Sequence, residues 1–285
     1  MRKIIVSSNC QTSGIALALQ NIFWEDEVLA IPYPHQTDEY LFETCSSCNI
    51  LVTSGRFDLF QKLPGTVKVI KLPELYFSAF HPDLIYVQKK STGEYFAPHY
   101  NSAICVWAYM NGLSVENTMH LFALDVYNEL GYFLNFQTDV QELTRRFVEC
   151  DLDIRLFLPF LLRKNSSFMY SVNHAKADTL VRLAKIIALK INPDHSFMNK
   201  SIDISDGLTS TFWPVYPEIA EFYALPEGSF DWQFDFHRIY GLKNYITHTF
   251  EHYRIQNISP NDIGFPRDIV LYNHVLGSKS GVDHD

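Results

Sequence analysis

The sequence predicts an α/β protein in which a small, parallel, doubly wound N-terminal sheet is merged with a large, mainly helical C-terminal part. Over residues 1–75, short β-rich runs alternate with helix-like runs, and such alternation implies right-handed crossovers and a parallel sheet. Beyond residue 100 the apolar spacing is mostly that of helices. We therefore divide the chain into an α/β part, residues 1–100, and a helical part, residues 101–285, and expect the two to pack as one compact unit.

Each predicted element of the α/β part follows from a local pattern. Runs rich in β-branched and other apolar residues predict strands at 3–7, 27–31, 49–53 and 66–70. Apolar positions at helical spacing predict helices at 10–22 and 37–45. Ligands of parallel sheets bind beyond the carboxyl ends of the strands, so we expect a site at that edge.

The rest of the chain is predicted to be helical, with one long irregular stretch. Segments with helical apolar spacing are 101–111, 115–129, 138–149, 153–162, 175–191 and 241–254. Residues 195–237 mix Pro, Gly, Ser and aromatic residues, which is typical of long loops with short elements.

Composition and charge exclude several classes of protein. With 285 residues, 47% of them hydrophobic, the chain can bury a large core and needs no disulfide or metal scaffold. The 23 basic and 32 acidic residues give a net charge of −9, which disfavours a general nucleic-acid binder. No apolar run reaches the length of about 18 residues that a membrane span needs, and the run Ile4–Val6 is too short for a signal peptide. Five cysteines, an odd number, fit reduced thiols, and we expect a cytoplasmic protein.

Cys10 is the first candidate for chemistry because it follows a predicted strand and opens a predicted helix. A helix N-terminus stabilises a thiolate and lowers the pKa of the thiol, and several hydrolase folds expose a nucleophile at such a junction. A small buried cysteine that only fills space is the alternative. A helix cap needs only one polar residue, whereas several surround Cys10, including Ser8, Asn9 and Gln11. This excess of polar residues favours a functional role.

Two histidines could act as acid or base beside this thiol. His81 stands two residues before Asp83, whose carboxylate could orient the imidazole or instead cap the next segment. His174 follows Asn173 at the end of a strand-like run. It could face the same rim as Cys10, or lie on the surface near a helix start.

Other motifs argue against metals and the common nucleotide sites. His248 and His252 share a helix face but lack a third ligand, and the pair Cys45 and Cys48 lacks a second pair, so neither predicts a metal site. The sequence contains no P-loop, no G-x-G-x-x-G and no G-x-S-x-G motif.

Three basic groups could hold an anion. Arg56 directly follows the third predicted strand and could offer its guanidinium, or simply form the turn. The pairs Arg145–Arg146 and Arg163–Lys164 come next, although such pairs more often form solvated faces.

Four sequence blocks together resemble the WcbI family of polysaccharide-biosynthesis proteins. They are Asn9-Cys10-Gln11 after a strand, residues 73–86 with His81-Pro82-Asp83, residues 101–114 beginning with Asn101-Ser102, and Asn173-His174 before an amphipathic helix. The blocks fall within residues 4–190. The N-terminal arrangement is also similar to SGNH-type esterases, with Cys10 where those enzymes carry a serine.

The resemblance implies coenzyme A binding and an acetyltransferase acting on a sugar hydroxyl of a surface or capsular polysaccharide, without a metal. Cys10 would take the acyl group or contact the coenzyme thiol, and His174 or His81 would be the general base, with Asp83 orienting a histidine. The implied oxyanion or substrate contacts are Asn9, Gln11, Ser102 and Asn173. The expected coenzyme contacts are Arg56 and Ser8. An SGNH-like hydrolase of acylated glycans and a non-catalytic coenzyme A-binding protein are the alternatives.

Overall fold

A computed structural model gives the structure of the chain and describes residues 1–33, 36–96, 98–162 and 166–280. The chain forms two compact units, each built from several segments. The first contains Met1–Tyr76, Val140–Arg163 and Phe168–Thr209, and the second contains Phe77–Asp139, Lys164–Ser167 and Ser210–Asp285. The division at residue 100 therefore coincides with no boundary of either unit.

Short strands and helices make up both units. The strands are β1 Lys3–Ser7, β2 Glu27–Ala30, β3 Ile50–Thr53, β4 Lys68–Lys71, β5 Leu84–Ile85, β6 Gln88–Lys89, β7 Asn101–Ser102, β8 Asp231–Phe234, β9 His237–Tyr240 and β10 Ile263–Gly264. The α-helices are α1 Thr12–Ile22, α2 Asp38–Ser46, α3 Phe57–Phe60, α4 Ala103–Met110, α5 Val115–Met119, α6 Leu124–Glu129, α7 Asn135–Glu149, α8 Leu158–Leu161, α9 Ala177–Ile191, α10 Pro217–Tyr223, α11 Leu242–Ile255 and α12 Ile269–Ser280.

The centre of the first unit is a four-stranded sheet with the order β2-β1-β3-β4, in which all neighbours are parallel. The register pairs Ser7 with Thr53 and Thr53 with Lys71. The carboxyl ends of β1, β3 and β4 therefore lie in a row at one edge. The predicted α/β class with a parallel sheet is confirmed, and the edge predicted to carry the site is defined by these three residues.

Helices of the first unit pack on this sheet and on one another. Ile5 of β1 shares a buried cluster with Cys45 of α2 and Phe60 of α3, so the Cys45 thiol is a core group. Helices α1 and α9 pack against each other, and a Cβ atom on Gly14 would come within 2.4 Å of Leu180. The near atom is the terminal Cδ1 methyl of Leu180, and the next atoms of that side chain lie 3.6 Å away, so a larger residue at position 14 would require Leu180 to change its rotamer.

The second unit is mainly helical and has an aromatic core. Trp107, Trp213, Trp232 and Tyr245 are all buried. The rings of Trp232 and Tyr245 stack with their centroids 3.8 Å apart. Burial of such large rings contributes much of the hydrophobic stabilisation of this unit.

Most predicted helices form, with changed limits. The predicted helix 115–129 is interrupted and forms α5 and α6, and segment 153–162 forms only a 3-10 turn at Ile154–Leu156 and the short α8. Helix α10 lies in the stretch predicted as irregular, and α12 was not predicted.

Candidate active site

Cys10 lies in the turn between β1 and α1, beyond the carboxyl end of β1. Gln11 is the N-cap of α1, so Cys10 precedes the helix and does not belong to its first turn. Asn9 closes the turn. Its carbonyl accepts the backbone N–H of Thr12 at 3.1 Å, and its side-chain oxygen accepts the backbone N–H of Gln11 at 3.0 Å. Cys10 itself is an exposed residue, so the turn that carries it is open to a ligand.

The thiol of Cys10 does not have the lowered pKa that its position suggested. Although the residue is exposed, the atoms crowded around its sulfur desolvate it, and this burial raises the pKa above the ordinary cysteine value. The backbone N–H of Cys10 opposes that effect, and the negative charge of Glu74 adds to it. The resting thiol is therefore protonated near neutral pH and needs a base to become a nucleophile.

The side chain of Gln11 has a structural role, because its amide hydrogens bind backbone carbonyls and are not available to an oxyanion. The side chain is 1% exposed, and its Nε2 donates to the carbonyl oxygen of Leu75 at 3.2 Å and to that of Asn173 at 3.0 Å. An amide nitrogen has two hydrogens, so both are used. The side chain next to Cys10 thus holds two other loops of the first unit in place.

The loop tied by Gln11 carries His174. The backbone N–H of Tyr170 donates to the carbonyl oxygen of His174 at 2.6 Å, and the hydroxyl of Ser171 accepts the backbone N–H of His174 at 3.3 Å. The Ser171 hydroxyl also lies 3.3 Å from the side-chain oxygen of Asn173. His174 is therefore held in a tight turn, one residue from the carbonyl that Gln11 binds.

The two residues expected to contact the coenzyme are engaged elsewhere. Ser8 is 1% exposed, and its hydroxyl is hydrogen-bonded to that of Ser54 at 2.6 Å. Arg56 has φ 55 at the start of α3, and its guanidinium forms an ion pair with Asp38. A phosphate would have to compete with that carboxylate. The alternative pair Arg163–Lys164 lies outside the described residues.

Two further candidates, His81 and Ser102, are buried in the second unit. His81 is 1% exposed, and its Nδ1 lies 3.4 Å from the carbonyl oxygen of Pro214. Ser102 is the N-cap of α4, and its hydroxyl accepts the backbone N–H of Cys105 at 3.1 Å. A base or a substrate contact must reach its ligand, so this burial favours structural roles for both residues.

Asp83 holds the start of α4 in the same unit. Its carboxylate is fully buried and accepts the hydroxyls of Tyr132 and Tyr216, each at 2.8 Å. It also accepts the backbone N–H of Ile104 at 3.0 Å. Burial raises the pKa of Asp83, and the hydrogen bonds from these donors oppose that rise. The structure therefore gives the carboxylate an architectural role in place of the orientation of a catalytic histidine.

A groove opens where β3 and β4 end, at the edge of the sheet where the sequence predicts a ligand site. It has a volume of about 560 Å³, and its polar lining includes Ser54, Lys71, Glu74, Arg145, Arg146 and Glu149. Two of these residues connect the groove with the turn of Cys10. The negative charge of Glu74 raises the pKa of the Cys10 thiol, and the hydroxyl of Ser54 is hydrogen-bonded to that of Ser8. The sequence signals for this groove are the predicted ligand edge and Arg145–Arg146, a candidate anion-binding pair, whereas Lys71, one residue beyond the predicted strand 66–70, was not among the candidates.

Two kinds of feature are missing from the part of the chain that the structure describes. No three His, Cys, Asp or Glu side chains there are grouped to hold a metal ion. No helix within the same residues is both long enough and apolar enough to cross a membrane.

The fold and the site together define a class of α/β proteins in which the first strand-to-helix turn presents a thiol at the carboxyl edge of a parallel sheet. The family described as polysaccharide biosynthesis enzyme WcbI matches residues 3–195. The chain belongs to this family, and the resemblance seen in its sequence blocks is confirmed.

A solved structure shares the whole fold. It is described as the native protein of WcbI, a novel polysaccharide biosynthesis enzyme, without a disulfide bond between coenzyme A and a cysteine. The match has a TM-score of 0.74, covers 98% of both chains and has 16% sequence identity, so it shows the fold alone. No curated protein matches the chain in sequence.

Proposed function

We propose that the protein is an acyltransferase that moves an acyl group, acetyl in the simplest case, from acyl-CoA to a sugar hydroxyl during synthesis of a surface or capsular polysaccharide. The observation that carries the proposal is the thiol of the exposed residue Cys10, with the turn of His174 tied to its neighbour Gln11. Family membership supports polysaccharide synthesis, and the coenzyme A named for the relative supports the donor. Because acyl-CoA is a cytoplasmic metabolite, we place the reaction in the cytoplasm.

In the first half-reaction, His174 takes the proton of the Cys10 thiol, and the sulfur attacks the carbonyl carbon of the acyl thioester. The carbon–sulfur bond to coenzyme A breaks, and the departing thiolate takes the proton from the imidazolium of His174. The raised pKa of Cys10 makes a base necessary at this step. Exchange between two thioesters is nearly isoenergetic, so the acyl-enzyme stays reactive.

In the second half-reaction, His174 takes the proton of the sugar hydroxyl, whose oxygen attacks the acyl carbon on Cys10. The bond from carbon to the Cys10 sulfur breaks, and the sulfur recovers the proton. The side-chain oxygen of Asn9 faces the Gln11 N–H, which leaves the amide nitrogen of Asn9 as the candidate donor to the oxyanion. Gln11 only holds the loops.

Two other functions fit the same site. An SGNH-like hydrolase would pass the acyl group from Cys10 to water, and a coenzyme A-binding protein without chemistry would use Cys10 only as a contact. The fold alone is compatible with all three. The acyltransferase is favoured because family members are described as biosynthetic enzymes.

Incubation with radiolabelled acetyl-CoA, followed by mass spectrometry of the intact protein and its peptides, tests the proposal. We expect an acetyl group on Cys10, release of coenzyme A that accelerates with a glycan acceptor, and no labelling of Cys10→Ala. His174→Ala should lower turnover by about 10²–10⁴-fold, whereas the matched control His120→Ala, at an exposed histidine, should not. Release that is independent of any acceptor would favour the hydrolase, and binding of coenzyme A without turnover would favour the non-catalytic protein.

A further inference from the structure

We propose that an aromatic surface of the second unit binds an uncharged sugar chain. This surface consists of Tyr86, Tyr95, His99, His248 and His252, all of which are exposed or half-buried, and we call it the aromatic surface. The choice of a sugar as its ligand rests on the proposed function, in which a sugar hydroxyl receives the acyl group. Single exposed rings are common on proteins, whereas rings gathered in one place mark an interaction site.

A short hairpin presents the two tyrosines of this surface. Tyr95 lies opposite Gln88 in an antiparallel bridge, and the backbone N–H of Phe96 donates to the carbonyl oxygen of Val87 at 2.9 Å. Side chains alternate between the two faces of paired strands. Because Val87 and Phe96 are buried, Tyr86 and Tyr95 lie on the opposite, outer face, where Tyr95 is 54% exposed. The core thus fixes the hairpin without needing the Tyr95 ring.

The rings of the hairpin and of the following loop form an angled corner. The ring centroids of Tyr86 and Tyr95 lie 6.4 Å apart with 77° between the ring planes, and those of Tyr95 and His99 lie 6.2 Å apart at 86°. Tyr86 also meets the ring of Tyr100 edge to face at 5.4 Å. The face of an aromatic ring is electron-rich, so it attracts the C–H groups on one face of a sugar ring. A sugar can therefore stack on Tyr95 while its hydroxyls reach the neighbouring polar groups.

A small cavity adjoins this corner. Its lining includes Pro98, Tyr100, Asn101, His248 and His252. Its volume of about 10 Å³ gives room for one water-sized group, such as a single sugar hydroxyl. No lysine, arginine, aspartate or glutamate stands among the described residues that line it. The cavity therefore suits an uncharged group better than a phosphate or a cation.

The two histidines of α11 supply hydrogen-bonding groups to the surface. The imidazoles of His248 and His252 are stacked, with centroids 6.1 Å apart and 18° between the ring planes. Burial and the neighbouring His252 lower the pKa of His248, and the negative charge of Glu251 opposes this effect. His248 is therefore neutral near neutral pH. A neutral imidazole has one donor and one acceptor nitrogen, which matches a hydroxyl group because a hydroxyl both donates and accepts.

Asn101 holds the loop of the surface in place. The residue is 2% exposed, and its Nδ2 donates to the carbonyl oxygens of Pro98 at 3.1 Å and His99 at 3.3 Å. Its side-chain oxygen accepts the hydroxyl of Tyr253 at 2.6 Å. The loop that carries His99 is therefore ordered before a ligand arrives, and such preorganisation reduces the entropy lost on binding.

Saturation-transfer NMR on the whole protein tests the proposal. The probes are maltohexaose and chitohexaose as uncharged chains, a chondroitin sulfate hexasaccharide as an anionic chain, and adenosine as a different molecule that stacks on aromatic rings. We expect saturation transfer to the uncharged chains. Tyr95→Ala should weaken their binding by about three- to tenfold, and Tyr95→Phe, which keeps the ring, should stay within about twofold of the unaltered protein. The control Tyr40→Ala removes a ring of similar exposure from the first unit and should leave binding unchanged.

Equal affinity of Tyr95→Ala and Tyr40→Ala for the uncharged chains would overturn the sugar site and leave the acyltransferase proposal intact. The absence of saturation transfer to both uncharged chains at millimolar concentration would also overturn it, and so would binding of adenosine or of the sulfated chain in their place. If the uncharged chains bind through Tyr95 but Cys10 takes no acetyl group from acetyl-CoA, the sugar site stands and the proposed function fails. Thermal unfolding of each variant checks that it is folded.

Discussion

Replacing Gln11 with methionine tests the most specific structural statement about the site. The two side chains have similar length and volume, so the change mainly removes the amide group. Its Nε2 donates to the carbonyl oxygens of Leu75 and Asn173, the first bond buried and the second partly buried. In Gln11→Met both carbonyls lose the hydrogen bond from Gln11, and the two loops are no longer held to the residue beside Cys10.

The cost follows from the burial of these groups. A buried polar group left without its partner costs about 1–3 kcal/mol. One buried and one partly buried carbonyl together give a loss of about 2–4 kcal/mol in the free energy of unfolding. For a protein of this size the loss corresponds to a fall in Tm of roughly 5–10 °C.

Thermal unfolding and acyl-transfer kinetics should be measured on the same samples, with the kinetics well below the lower Tm. The exposed Gln61 gives the matched control, Gln61→Met, which should lose less than about 0.5 kcal/mol. We expect Gln11→Met to lose turnover as well as stability, because the turn of His174 is no longer held. If Gln11→Met has the same stability and turnover as Gln61→Met, Gln11 does not hold the two loops in place.

Three further results are expected. Because Glu74 raises the pKa of Cys10, Glu74→Gln should move the midpoint of iodoacetamide labelling of Cys10 to lower pH, and an unmoved or higher midpoint would contradict the cause given for the shift. Asp83→Asn places an amide hydrogen against hydroxyl donors in a buried site, so the free energy of unfolding in urea should fall by about 3 kcal/mol. A loss below about 1 kcal/mol would mean that the hydrogen bonds to the Asp83 carboxylate contribute little to stability. Ser102→Ala removes the N-cap of α4 and should cost about 1 kcal/mol, measured in the same way, and no loss would mean that the cap contributes nothing.

The sheet could be predicted from sequence because its strands are short apolar runs separated by clear turns. Strand β1 has the predicted bounds, and β4 is displaced by only two residues at its start. The interruption between α5 and α6 could not be predicted from apolar spacing. Leu121 and Phe122 there are buried by tertiary packing, and the chain restarts α6 after an extended Ala123. Local periodicity contains no information about such distant packing.

The candidate site could be predicted only as a set of residue types. The sequence places Cys10 beyond a strand, and that position holds. It does not show that α1 starts after Gln11, nor that Glu74, far along the chain, lies close enough to raise the pKa of the thiol. The dipole argument for a low pKa considered only the local helix, whereas desolvation and a distant carboxylate decide the direction.

The residues of the four sequence blocks divide by what their side chains bind in the fold. Asn9 and Cys10 keep polar atoms at an accessible turn, so chemistry with a ligand is open to them. Gln11 and Asp83 use their polar atoms to hold backbone and hydroxyl groups within their own units. Such buried groups are required for the fold because an unpaired partner would be costly. A polar residue in a family block is therefore evidence of a reactive role only after its hydrogen-bond partners and its exposure are known.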